Sequence, residues 1–394
     1  MATVEPPAST DALPVMAADT VNGITPVVNG AEKWKPKFVD IGINLTDPVY
    51  TGLYHGTQRH QNDLPAVVQR AIDIGCEKLI VTGSDLEHSQ TAVRLAEEFS
   101  NTIYATIGVH PCNAQSLGPK TLSSLTTLAQ TSIKAGHGVA FGEIGLDYDR
   151  IELCPKDIQL QAFEQQLSLA VDLQLPLFLH SRAAHSDFLR LLSEHENKLP
   201  KRGVVHSFTG SLEEMQELVA RGWHIGVNGC SLKTEENCAV VKEIPLDKLH
   251  LETDGPWCEI RPAHASSAIL NKMRENLGFA SKPKGKAVGK GGKVEEVEED
   301  TGTGWGGWNS VKKEKWVEGA VIKGRNESCF IGRVAWAVAG IKGLSVQEVA
   351  AAAWENSVAM FGLGVDLDEE RVREKDISLE NGVERLKVSY GVPE

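Results

Sequence analysis

Four short stretches place cation-binding residue types directly behind an apolar run. They are Phe141-Gly-Glu143-Ile-Gly-Leu-Asp147, Leu177-Phe-Leu-His180-Ser-Arg182, Val204-Val-His206-Ser-Phe-Thr209 and Leu249-His-Leu-Glu252-Thr-Asp254. Two carboxylates, Glu143 and Asp254, and two imidazoles, His180 and His206, make a donor set for a hard-to-borderline divalent cation. Such a cation lowers the pKa of water and neutralises charge on a phosphoryl group, which is hydrolytic chemistry. Each residue alone has a plainer explanation. A histidine ending an apolar strand is commonly hydrogen-bonded into the scaffold, and Glu143 or Asp254 would serve to cap a following helix. Convergence of all four on one end of one scaffold is what favours a metal.

That convergence depends on the elements that carry the residues. Short apolar runs read as strands at Phe38–Ile43, Lys78–Thr82, Ile103–Val109, Gly138–Ile144, Pro176–His180, Gly203–His206, Trp223–Val227 and Leu249–Glu252. Amphipathic stretches such as Leu64–Ile74, His88–Phe99, Pro155–Leu173, Ser186–Glu194 and Leu212–Arg221 lie between them. Strands alternating with helices build right-handed βαβ units around a buried parallel sheet. Eight strands between residues 38 and 252 match an α/β fold of the TIM (β/α)₈ type, which typically takes roughly 250 residues. An open doubly wound sheet is the second expectation. In a barrel the C-terminal strand ends face the active site, and all four stretches end there.

The barrel is expected over residues 37–280 and 319–366, with helices at Ile331–Ile341 and Val346–Phe361 closing its outer ring. Residues 1–36 show no helical or strand period and read as a disordered tail. Residues 281–318 combine a Lys/Gly run, an acidic run and a Gly/Trp segment, the pattern of a low-complexity insertion. Its Lys282, Lys284, Lys286, Lys290 and Lys293 read better as a solvated linker than as a DNA-binding arm. Trp305, Trp308 and Trp316 read better as docking residues than as platforms for bases. Residues 367–394 form a charged tail.

The 394-residue chain is 41% hydrophobic and 24% charged, ordinary for a globular protein. No apolar run reaches the roughly 20 residues of a membrane helix. The seven cysteines are scattered, and none is spaced Cys-x-x-Cys, which fits reduced thiols better than a disulfide framework. With no basic-then-apolar leader and no Lys or Arg in residues 1–32, the expected setting is cytoplasm, nucleus or both. A net charge of −13 opposes binding of a polyanion, so a nucleic-acid substrate would require metal and a local basic patch.

The ordered series Gly108-Val-His110-Pro, Gly142-Glu143-Ile-Gly-Leu-Asp147, His180-Ser-Arg182, His206-Ser-Phe-Thr-Gly210, Glu252-Thr-Asp254 and Arg325-Asn326-Glu327 resembles the TatD-like deoxyribonucleases of the amidohydrolase superfamily, in their eukaryotic-type branch. The resemblance runs from about Phe38 to Leu363, apart from the insertion. It implies a TIM barrel, divalent ions of the Mg²⁺ or Mn²⁺ kind with Zn²⁺ as the alternative, and cleavage of DNA phosphodiesters, often 3′→5′ from single-stranded ends. It makes Glu143, His180, His206 and Asp254 metal ligands, with Glu143 and Asp254 catalytic and Asp254 the base that orients water. It puts His110 and Arg182 on phosphate.

Two departures stand out. Where many family members carry Asp-x-His-x-His on the first strand, this chain reads Asp40-Ile-Gly42-Ile-Asn44. Glycine offers no ligand and Asn44 only a carbonyl oxygen, toward substrate or a weak metal site. Ser328 stands where the family usually has proline, an exchange expected to loosen its loop. Arg325 is a fork donor suited to phosphate or carboxylate, with a buried ion pair to Glu327 as its other reading. Alternatives to a nuclease are a small-molecule amide or ester hydrolase and a catalytically silent barrel scaffold. The missing strand-1 histidine pair counts against the first, the intact four-residue set against the second.

Overall fold

The computed structural model describes residues 34–276, 308 and 310–364. The β-branched and leucine-rich runs become eight strands: β1 (Phe38–Ile43), β2 (Cys76–Val81), β3 (Ile103–Ile107), β4 (Gly138–Asp147), β5 (Leu177–Arg182), β6 (Gly203–Val205), β7 (His224–Val227) and β8 (Leu249–Leu251). They pair in parallel in chain order. Beyond the strand ends the seam between β8 and β1 is joined by Asp254 N–H to Gly42 O (2.8 Å) and Asn44 N–H to Gly255 O (2.8 Å). A TIM barrel results, and β1 and β4 are buried along their whole length, as strands covered on both faces must be.

Among the described residues ten α-helices surround it: α1 (Leu64–Asp73), α2 (Leu86–Glu98), α3 (Pro119–Lys134), α4 (Lys156–Leu173), α5 (His185–His195), α6 (Leu212–Ala220), α7 (Glu235–Glu243), α8 (Ser266–Asn276), α9 (Ile331–Lys342) and α10 (Val346–Phe361). Local signals fix several starts. Asp85 caps α2 by accepting from His88 N, and α6 and α10 open on full capping boxes, Ser211/Glu214 and Ser345/Glu348. No single helix among the described residues is long and apolar enough to cross a membrane.

The main boundary difference lies in β4. The glycines at 142 and 145 read as a stop after Ile144, whereas the strand continues to Asp147 and pairs Gly145, Leu146 and Asp147 with His180, Ser181 and Arg182. The glycines allow a bulge, a register shift between Gly142 and Ile144, rather than ending the strand.

The expected tail and most of the expected insertion lie outside the described residues. The described end of the insertion is anchored. Ser310–Val311 pairs in parallel with Val321–Ile322, Trp308 meets Phe330 edge-on at 6.4 Å, and Trp316 stacks on His60 at 5.3 Å. Trp308 and Trp316 are therefore docking residues.

Candidate metal centre

Glu143 sits at the β4 bulge, buried, and one of its oxygens gathers three imidazoles. Oε1 lies 2.7 Å from His206 Nε2, 3.0 Å from His180 Nδ1 and 3.4 Å from His110 Nε2. The other nitrogen of His180 lies 3.2 Å from Asp147 Oδ2. Two overlapping triads follow, Glu143–His180–His206 and His110–Asp147–His180, each with ligand atoms within 4.8 Å of one another. Such a set of carboxylate oxygens and imidazole nitrogens fits a divalent cation.

A second layer holds these side chains in place. Glu252 faces His206 Nδ1 at 3.3 Å, and its own other oxygen accepts from Ser207 N (2.5 Å) and Asn228 Nδ2 (3.3 Å). A carboxylate on Nδ1 fixes the imidazole tautomer and leaves Nε2 for a cation. Gln159 clamps Asp147 through both its amide atoms, accepting from Asp147 N and donating to Asp147 O (2.8 Å each). On the β1 side, a Cβ at Gly42 would stand 2.5 Å from Glu252 Oε2 and 3.0 Å from Phe178 Cζ. A side chain at 42 would thus require Glu252 Oε2 to move, and with it the contact to His206.

The electrostatics bear out a centre short of positive charge. Burial opposes charge on His206, yet Glu143 and Glu252 hold its pKa well above 6.5. Burial likewise opposes charge on His180, and Asp147 and Glu143 still raise it. Burial pushes His110 down to about 4, so it is neutral near pH 7. Glu143 is held well below the usual carboxylate range against its burial, by His206 and His110.

Asp254 stands beside the triads rather than in them. Its Oδ1 accepts from Asn44 Nδ2 (3.0 Å) and its Oδ2 from Cys258 Sγ (3.2 Å), and burial pushes its carboxyl up to about 6. Arg182 ends β5 in register with Asp147, and its charge acts on the Cys230 thiol.

The profile of the family described as TatD related DNase matches residues 39–362. The chain belongs to that family. It is 44% identical to the "Deoxyribonuclease Tat-D" of Schizosaccharomyces pombe, over 82% of this chain and 96% of that protein. It is 31% identical to the "3'-5' ssDNA/RNA exonuclease TatD" of Erwinia amylovora, over 82% and 99%. A crystal structure of a TatD family hydrolase from Entamoeba histolytica superimposes with a TM-score of 0.69 at 33% identity, covering 84% of this chain and 99% of that one.

Two TatD-motif expectations are corrected by the structure. Arg325 does not face the mouth. Its guanidinium pairs with Asp63 through two bonds (2.9 and 2.6 Å) and with Glu327 (2.8 Å), and Glu327 is held in turn by Arg70 at 2.8 Å, all buried. Every fork donor is engaged, so the buried ion pair is the reading the structure supports. Ser328 does not loosen its loop either: its hydroxyl donates to Asp40 Oδ2 at 2.6 Å, and Asp40 also receives Thr253 N (2.9 Å) and Thr253 Oγ1 (2.6 Å), which braces the β1–β8 seam. Sequence reasoning had quoted Asp147 and Glu252 without giving them roles. The signal for Asp147 was its place four residues after Glu143, hidden by the glycines. Glu252 points into the barrel, where it meets His206, Ser207 and Asn228.

Proposed function

We propose that this TatD-family protein is a divalent-metal-dependent deoxyribonuclease acting on single-stranded ends, with 3′→5′ direction. The observation that carries the metal-dependent chemistry is Glu143 Oε1, shared by His110, His180 and His206 within 3.4 Å at the mouth of a TIM barrel. Glu143, His180 and His206 would hold one cation, with Asp147 and His110 flanking it. Carboxylates suit Mg²⁺ and Mn²⁺ and imidazoles suit Zn²⁺, so the mixed set favours Mn²⁺ or Mg²⁺ with Zn²⁺ as competitor. When bound, the cation supplies Lewis acidity to water and to a phosphoryl oxygen.

The chain's own residues divide the remaining work. Asp254, with a pKa near 6 and Asn44 fixing its Oδ1, takes a proton from the attacking water. Arg182, whose guanidinium has no fixed carboxylate among the described residues, binds a substrate phosphate and offsets negative charge that builds in the transition state. Trp257, 55% exposed three residues beyond Asp254, offers a face on which a base of single-stranded DNA stacks. DNA as substrate and the 3′→5′ direction rest on the relatives' printed names. The cytoplasmic or nuclear setting rests on the scattered, unbonded thiols.

The test is incubation with DNA labelled at either end, single- and double-stranded, with Mg²⁺, Mn²⁺ or EDTA. Stepwise release from the 3′ end of single strands, abolished by EDTA and by Asp254→Asn in a folded protein, is expected. Undiminished release in EDTA would refute the reading.

A further inference from the structure

Two loops at the barrel mouth bring together a pair of thiols that the hydrolytic reading does not use. Cys230 follows β7 and Cys258 follows β8, and their sulfurs stand 2.8 Å apart. The approach is built into the backbone. Cys230 N donates to Asn228 Oδ1 (2.8 Å), which fixes a turn, and any side chain at Gly229 would collide with Cys258 O. The loops are tied again by Ala265 N to Lys233 O at 3.0 Å. Both cysteines are partly accessible, unlike buried Cys76, Cys154 and Cys329. Cys258 S–H donates to Asp254 Oδ2, 3.2 Å away, and either thiol can supply the hydrogen between the two sulfurs.

We propose that Cys230 and Cys258 are a covalent modification site, a dithiol that a hydroperoxide converts reversibly to a disulfide at the lip of the metal centre. A disulfide is ~2.05 Å long, so closure requires a sub-ångström approach of sulfurs already held face to face. One thiolate sulfur attacks a peroxide oxygen. An S–O bond forms, the O–O bond breaks, and hydroxide leaves and is protonated to water. That sulfur, now a sulfenic acid, has lost two electrons and the peroxide has gained them. The second thiolate attacks it, an S–S bond forms, the S–O bond breaks, and the departing hydroxide takes up a proton as water. The protein loses two hydrogen atoms overall. Cys258 then has no S–H left for Asp254, so oxidation changes the hydrogen bonding of the group assigned as base. That consequence, unlike the bond itself, rests on the nuclease reading.

The experiment treats the folded full chain with dilute hydrogen peroxide, then unfolds it in denaturant and blocks free thiols with an alkylating reagent, and maps peptides by mass with and without dithiothreitol. The expected result is a linked peptide pair containing Cys230 and Cys258, with five of the seven cysteines alkylated and all seven after reduction. Cys230→Ser should give no such link while keeping the wild-type circular dichroism. Alkylation of both residues after peroxide, or linkage of either to a different cysteine, overturns the proposal. Nuclease rate is followed in parallel and should fall several-fold on oxidation and return with dithiothreitol. Because the link is read by mass, a protein without nuclease activity that still forms it counts against the function and not against the site.

Discussion

Around Arg325 every charge has a fixed opposite: two guanidiniums, Arg325 and Arg70, face two carboxylates, Asp63 and Glu327, deep in the protein. Around Glu143 the carboxylates Asp147 and Glu252 flank three histidines, Asp254 lies beside them, and among the described residues no Lys or Arg is bonded to Glu143 itself. Both clusters are buried and both contain family-motif residues, yet one is closed and the other open. A saturated cluster holds parts of the fold together, here joining α1, the loop after β1 and the segment before α9. An unsaturated one calls for a mobile cation. The lesson is that a motif residue's role is read from what its donors already touch, not from its membership of the motif.

The sharpest break between the two comes from Glu143→Gln. Losing the shared carboxylate should remove several kcal/mol of transition-state stabilisation, about a thousandfold in rate, in protein that remains folded. Nuclease turnover alongside a melting curve checks both halves. Arg325→Met should behave in the opposite way. Removing one partner of a buried pair costs about 3–5 kcal/mol of folding stability, while the protein that remains folded keeps its metal affinity. Urea unfolding and metal titration of the same sample separate the effects; loss of metal binding with normal stability would move Arg325 into the active site after all.

Glu252→Gln probes the layer behind the metal. It keeps the size of the side chain but weakens its hold on His206 Nδ1, and affinity should fall about 10–100-fold. An unchanged affinity would show that His206 is oriented by other contacts. Acidity gives a gentler handle. The folded pKa values of His180 and His206 are raised, so in metal-free protein their stabilisation is fully present below 6.5 and is lost as pH rises through the folded values. A metal that replaces those protons should remove the decline. Melting temperatures across that range, with EDTA and with Mn²⁺, are the measurement, and a metal-free protein that gains stability with pH there would contradict the assignment. The smallest effect is expected from Trp257, which belongs to neither cluster. Stacking on one base is worth about 1 kcal/mol or more, so Trp257→Ala should raise KM for single-stranded DNA at least fivefold and leave kcat alone.

The barrel was legible in the sequence because strands buried on both faces must be apolar runs, and eight such runs appeared with amphipathic stretches between most of them. Glu143, His180 and His206 were legible as well, since each directly follows or interrupts such a run. Asp147 was missed because glycine punctuation suggested a strand end where the chain makes a bulge. Residue type and strand-end position group Asp254 with the ligands, while the side-chain bonds it makes are to Asn44 and Cys258. Arg325 required partners more than 250 residues away in sequence, Asp63 above all, which no local pattern brings forward. The Gly42–Glu252 approach is a contact across the barrel seam, equally silent in a linear reading.

The most direct test of the account is calorimetric titration of EDTA-stripped protein with Mn²⁺, comparing wild type with Glu143→Gln in buffers of different ionisation enthalpy. The account predicts that wild type binds and releases protons as His180 and His206 surrender them, and that Glu143→Gln binds at least about 100-fold more weakly. Equal affinity in the two proteins, or binding without proton release, would contradict it.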